Sequence, residues 1–194
     1  MICPTVPQPD MAMTLTEGVT CERELEKTNG KAAAPRLVCF VCTGNTCRSP
    51  MAAAVTNALA EKEKSGYAPL IADAMTPRVL AFSRGLYAED GAPISANAVE
   101  ALERSGIVPV RDADYHAHTA RTIDEEDVRA ADLLVAVSGS HATELLMRFP
   151  WAASKITCLP KAITDPWGGN LGVYEACLAE ITECVRSMFF AKES

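Results

Sequence analysis

The chain has 194 residues, of which 48% are hydrophobic and 22% charged, with a formal net charge of −7. That length buries a core without staples, and the apolar fraction excludes wholesale disorder. The acidic balance excludes a protein built to coat a nucleic-acid backbone, although a local pocket for one anion remains compatible with it.

Residues 1–35 differ from the rest. They hold Pro4, Pro7 and Pro9, a charged stretch around Glu22–Lys27 and an alanine-rich joint ending at Pro35. A flexible N-terminal extension is expected here, with a short helix around 20–28 capped by Thr20, and Met11 or Met13 as alternative starts. No basic flank precedes an apolar run, so no signal peptide is read, and no apolar run reaches membrane-spanning length. The eight cysteines are therefore taken as reduced thiols in a cytoplasmic protein.

From residue 36 onward the pattern alternates. Leu37–Val41 is a continuous apolar run, as in a strand buried on both faces. Ser49-Pro50 opens an alanine-rich amphipathic helix to about Lys64, with serine as cap and proline at the first helical position. Val79–Ser83 reads as a strand, Ser95–Ser105 as a helix closed by Gly106, and Asp124–Ala131 as a short helix. Asp132–Val137 is a strand, 140–148 a helix, Lys155–Leu159 a strand, and Leu171 to about Ala191 a long final helix. The expected fold is α/β, a four-stranded parallel sheet flanked by helices on both faces. Ligands in such folds bind beyond the carboxyl ends of the strands, where the strand order switches.

The first strand delivers the chain to that edge at Val41-Cys42-Thr43-Gly44-Asn45-Thr46-Cys47-Arg48-Ser49-Pro50. A cysteine followed six positions later by arginine is weak by itself; its place between a buried strand and a helix gives it meaning. Successive N–H groups of such a loop can turn inward as an anion nest, and the helix dipole adds positive potential. Cys42 is expected to have a lowered pKa there and to act as a nucleophile. Arg48 offers a planar fork to two phosphoryl oxygens. Gly44 allows positive φ or close approach, Asn45 tolerates left-handed geometry, and Ser49 can donate to the Cys42 sulfur. The lysine of a nucleotide-binding loop is missing.

This segment resembles the signature of the low-molecular-weight protein-tyrosine phosphatases. Ser83-Arg84-Gly85 is similar to the family's Ser-Ala-Gly, with Arg84 departing from it. Gly91–Ser95, His118–Arg121 and Asp165-Pro166 also fit, so the resemblance covers about residues 36–190. It implies a catalytic domain at 36–194 that needs neither cofactor nor metal and acts on phosphorylated protein substrates; the charge and hydropathy lead us to expect no nucleic-acid or membrane partner, and the chain is expected to be a monomer. By the same resemblance Cys42 forms a phosphocysteine, and Arg48 with the loop residues Thr43, Gly44, Asn45, Thr46, Cys47 and Ser49 holds the phosphoryl group. Asp165 serves as general acid and then base, and Cys47 forms a reversible disulfide with Cys42. Thr46 stands where tyrosine-directed members place an apolar residue. With Asp165-Pro-Trp-Gly-Gly it looks more like the bacterial protein-arginine phosphatases. Gly168 replaces a second aromatic, and Trp167 walls the slot. The preferred substrate is left between phosphotyrosine and phosphoarginine, leaning to the latter.

Other features carry less. Cys39 and Cys42 spell C-x-x-C, but on a strand they point to opposite faces. Cys177 and Cys184 share a helix face, which reads as core. Asp112–His118 resembles a metal cluster but falls in a connector. His141 opens a helix, solvated or in a structural hydrogen bond. An arsenate reductase on the same fold would need a resolving cysteine pair, yet no cysteine lies between Cys47 and Cys158. A phosphoprotein-binding module without turnover would have lost the nucleophile, arginine or acid. A docking role for the extension has no sharp support.

Overall fold

A computed structural model describes residues 35–66, 79–111 and 113–191. The extension up to residue 34, with its expected helix, lies outside the described residues. The described elements all fall within the unit Ala32–Ser194. In chain order they are β1 (Arg36–Cys42), α1 (Arg48–Gly66), β2 (Val79–Gly85), α2 (Ala96–Arg104), α3 (Glu125–Ala130), β3 (Leu133–Ala136), α4 (Gly139–Arg148), β4 (Ile156–Cys158) and α5 (Leu171–Phe189). Two short 3-10 turns at Tyr115–Ala117 and Pro150–Lys155 were not read from the sequence.

The sheet is four-stranded and parallel, in the order β2-β1-β3-β4. The chain leaves β1 for one neighbour and returns to the other side of it for β3. The loop after β1 therefore lies at the switch in strand order, where the two crossovers diverge and leave a crevice.

β1 alternates between two cores. Val38, Phe40 and Cys42 join the cluster built with α1, α2 and α5, while Cys39 and Val41 join the one built with Val128 of α3 and Leu145 of α4. All five are buried. This two-sided burial is why the run is uniformly apolar, and it separates Cys39 from Cys42 as the period of two requires. Cys177 and Cys184 are likewise buried in the first cluster.

Helix α1 differs from expectation in two ways. It starts at Arg48 rather than at Pro50, its first bond running from Met51 N–H to Cys47 O at 3.1 Å. Pro50 is still within the first turn, where a missing N–H costs nothing. Ser49 is therefore free of capping duty. The helix is also not amphipathic in its first half, because every residue from Met51 to Leu59 is buried. Four of those nine are alanines, small enough to let the helix be enclosed by sheet and neighbouring helices.

Asn57 on this helix is the polar exception that fixes it. Its Oδ1 accepts from Ala81 N–H and its Nδ2 donates to Ala81 O, both at 2.8 Å. β2 is an edge strand, and these bonds satisfy a backbone pair that burial beneath α1 shields from water. At the other end of the fold, Asp124 caps α3 through a reciprocal box with Asp127. Replacing Asn57 with alanine should lower unfolding stability by about 2–4 kcal/mol, because two buried backbone groups lose their partners. Urea denaturation followed by circular dichroism checks this, and an unchanged midpoint would contradict it.

Candidate active site

The loop from Cys42 to Ser49 is organised by Asn45. It is the one non-glycine residue with positive φ (57°) among those described, and its side chain is fully buried. The left-handed step belongs to Asn45 and not to Gly44, whose φ is ordinary. The turn needs a short polar side chain that can hold itself down from within. Asn45 Nδ2 donates to Ser49 Oγ (3.0 Å) and Ser83 Oγ (2.9 Å), and Oδ1 accepts from Arg121 N–H (3.0 Å). Its carbonyl accepts from His118 Nε2 at 2.8 Å. One residue thus ties the loop to β2 and to the 118–121 segment, the motifs that matched the family pattern.

Gly85 completes the cradle. A Cβ there would lie 2.7 Å from Thr43 O and 2.9 Å from Ala88 Cβ. The end of β2 presses against the loop, and Leu86 N–H and Tyr87 N–H donate to Cys42 O and Thr43 O. Arg84, the departure from the family pattern, turns away from the loop. Its Nε pairs with the buried Asp127 of α3 at 2.7 Å, and its guanidinium lies over the Phe82 ring.

Cys42 Sγ sits 3.0 Å from Ser49 Oγ and accepts from Asn45 N–H at 3.3 Å. Complete burial pushes the thiol pKa up, while the hydrogen bonds of Ser49 and Asn45 and the charge of Arg48 pull it down. The sequence led us to expect a net lowering; the thiol instead lies above its ordinary value, because burial in the apolar cluster outweighs those contacts. Arg48 is buried at the start of α1. Its Nη2 pairs with Asp165 Oδ2 at 2.5 Å, Nη1 reaches Ile163 O at 3.5 Å, and its buried Nε has no partner. The pair brings the acid 117 residues along the chain into contact with the loop arginine.

Asp165 heads a turn in which its Oδ1 accepts from Trp167 N–H (3.2 Å) and Gly169 N–H donates to Pro166 O (2.9 Å). Gly168 supplies the positive φ (77°). Trp167 is 79% exposed, so it stands at the rim rather than as a packed wall. Thr46 is half-buried, and its carbonyl accepts from Ser95 N–H at 2.9 Å. Cys47 is buried, 3.4 Å from Tyr174 Oη, which also accepts from Ser95 Oγ at 3.1 Å. Burial and the nearby Cys47 push the Tyr174 phenol up to about 12. Ser95 heads α2 without a side-chain capping bond because its hydroxyl is used here. Tyr174 was not singled out in the sequence, where it looks like one more core position of α5.

The expected site residues therefore converge, with Trp167 at the periphery. Among the described residues no three His, Cys, Asp or Glu side chains could hold a metal ion, and no helix is long and apolar enough to cross a membrane.

Two outcomes follow from this geometry. Ser49→Ala removes a contact that lowers the Cys42 pKa, so the thiol should ionise at higher pH. The midpoint pH of iodoacetamide alkylation should rise by about 0.5–1, and a fall or no change would contradict the contact's sign. Asp165→Ala removes the carboxylate that occupies Arg48. Half-exposed as that carboxylate is, inorganic phosphate should bind about 2- to 5-fold more tightly by calorimetry, whereas weaker binding would contradict the competition.

A family model described as "Low molecular weight phosphotyrosine protein phosphatase" matches residues 37–193. The chain is 31% identical over 154 residues to a protein-arginine-phosphatase of Geobacillus stearothermophilus, covering 76% of this chain and 89% of the relative. It is 29% identical over 163 residues to the low-molecular-weight protein-tyrosine-phosphatase PtpB of Staphylococcus epidermidis, covering 80% and 99%. Among solved structures, the low-molecular-weight protein tyrosine phosphatase of T. tengcongensis superposes with a TM-score of 0.67 at 33% identity, covering 78% of this chain and 96% of that one. The fold, the loop after β1 and these matches agree: the chain belongs to the low-molecular-weight phosphotyrosine protein phosphatase family and is a phosphatase.

Proposed function

We propose that this chain removes the phosphoryl group from phosphoarginine on proteins through a phosphocysteine on Cys42. The observation that carries the chemistry is the buried Cys42 facing Ser49 and Asn45 N–H, with Arg48 six residues on and Asp165 against it. The unpartnered Arg48 Nε is a buried donor that a phosphoryl oxygen would satisfy, and the loop N–H groups provide the rest of an anion nest.

In the first step the Cys42 thiolate attacks phosphorus, an S–P bond forms and the bond to the leaving nitrogen breaks. Arg48 turns its fork from Asp165 to the phosphoryl oxygens and stabilises their charge. Released from Arg48, the Asp165 carboxylate takes up a proton from solvent and passes it to the leaving nitrogen. In the second step Asp165 takes a proton from water, the water oxygen attacks phosphorus, and Cys42 leaves as thiolate stabilised by Ser49. Cys47 lies in the same loop and the same apolar cluster as Cys42, which supports the protective-disulfide role that the resemblance implies.

The preference for phosphoarginine is supported by Thr46, half-buried in the loop, whose hydroxyl can bond a guanidinium and gives a ring little apolar contact. Relatives at 31% and 30% identity bear the name protein-arginine-phosphatase. The rim tryptophan Trp167 favours the second reading, phosphotyrosine, because an exposed indole is a ready stacking partner for an aryl group. The comparison is kcat/KM on a phosphoarginine and a phosphotyrosine peptide in one buffer, with Cys42→Ser as the blank. Phosphoarginine should be preferred, and Thr46→Ile should reverse the order by a factor within the ~10–200-fold that one small side-chain change commands. A phosphotyrosine preference in the unaltered chain would replace the first reading with the second.

A further inference from the structure

His141 is the third residue of α4 and is absent from the machinery above. It is 8% exposed, unusual burial for a polar residue on the first turn of a surface helix. Both ring nitrogens are engaged. Nδ1 lies 2.5 Å from Ser138 Oγ, which is also 2.9 Å from Ser140 Oγ. Nε2 lies 2.9 Å from Thr43 Oγ1, across 98 residues of sequence. Burial and the charge of Arg48 push the His141 pKa down, against the opposite pull of Glu144 and Asp165. A neutral imidazole has one donor and one acceptor nitrogen, so the two bonds run in a single direction along Ser138, His141 and Thr43 and fix the threonine hydroxyl.

Thr43 follows Cys42 directly, and its side chain is the exposed one in a loop whose Cys42, Asn45, Cys47, Arg48 and Ser49 are buried. A phosphoryl group seated on the loop N–H groups must project its leaving group outward, toward the exposed side of the loop. Thr43 thus combines a place beside Cys42, exposure to solvent and a hydroxyl held by a buried histidine.

We propose that His141 is a positioning residue which, through the Thr43 hydroxyl, holds a polar contact for the leaving group of the substrate. The inference deepens the reading of the Cys42 loop as the site of phosphoryl transfer and rests on it. A merely structural histidine would support the whole loop, so its loss would weaken phosphate binding as well as turnover. A histidine acting through Thr43 spares phosphate binding and spends its effect on substrates that carry a leaving group.

The test is a double-mutant cycle of Thr43→Val and His141→Leu. It is read by kcat/KM on the phosphoarginine peptide and on p-nitrophenyl phosphate, and by inorganic phosphate affinity in calorimetry. Each single change should lower kcat/KM on the better substrate by about 3- to 10-fold, the worth of one hydrogen bond, chiefly through KM. The double variant should lose no more than either single one, with phosphate affinity unchanged in His141→Leu. His141→Gln, whose amide reaches the level of Nε2, should restore most of the loss. His141→Asn, which ends at the level of Nδ1, should not. Losses that multiply in the double variant, or an equal loss of phosphate affinity in His141→Leu, would overturn the proposal, as would asparagine serving as well as glutamine. Turnover that persists in Cys42→Ser would refute Cys42 as nucleophile, and the cycle would still report whether His141 acts through Thr43.

Discussion

The site depends on the way Asn45 holds a strained turn closed. A non-glycine residue in the left-handed region costs about 1–2 kcal/mol, and here that conformation lets one side chain reach Ser49, Ser83 and the Arg121 amide at once. The same turn aims the Asn45 amide at the Cys42 sulfur. If Asn45 relaxed, Ser49 would lose the donor that orients its hydroxyl, and the end of β2 would lose a tie to the loop. The glycine at 85 is the matching constraint on the opposing strand, since any side chain there would push on Thr43 O.

Around this loop the electrostatics are local and opposed to the global charge. The chain carries a net −7, but the site is built on a buried guanidinium at the start of a 19-residue helix. Asp165 screens Arg48 directly, and its half-exposed side chain makes the pair breakable. Arg84 and Asp127, by contrast, are both largely buried and hold β2 to α3. Arg48 thus has a half-exposed, breakable partner, while Arg84 is committed to the scaffold. Burial holds the Cys42 thiol above its ordinary pKa, while the hydrogen bonds of Ser49 and Asn45 and the charge of Arg48 pull the other way.

Much of the fold is legible in the sequence because the two periodicities are strong. The uniformly apolar Leu37–Val41 run announces a strand covered on both faces, and its alternation correctly separates Cys39 from Cys42. The Cys42–Ser49 motif carries the site by resemblance, and in the structure His118 bonds the Asn45 carbonyl and Asp165 pairs with Arg48. Three things were hidden. Helix α1 starts earlier than its Ser-Pro signal, because Ser49 is held by the sulfur and Asn45 instead of capping. The sequence allowed positive φ at both Gly44 and Asn45, and tertiary bonds to Ser83 and Arg121 decide it for Asn45. His141 and Tyr174 reach the loop from elements nearly a hundred residues away or more, and sequence spacing alone cannot show that kind of contact.

The most direct test of the account is acid-quench trapping of the enzyme during turnover of a phosphoarginine peptide, followed by peptide mapping. A phosphoryl group found on the peptide that contains Cys42, appearing and disappearing at rates that support steady-state turnover, is the predicted result. Hydrolysis with no enzyme-bound phosphoryl group, or a phosphoryl group bound to a different residue, would contradict Cys42 as the nucleophile and with it the mechanism proposed for this loop.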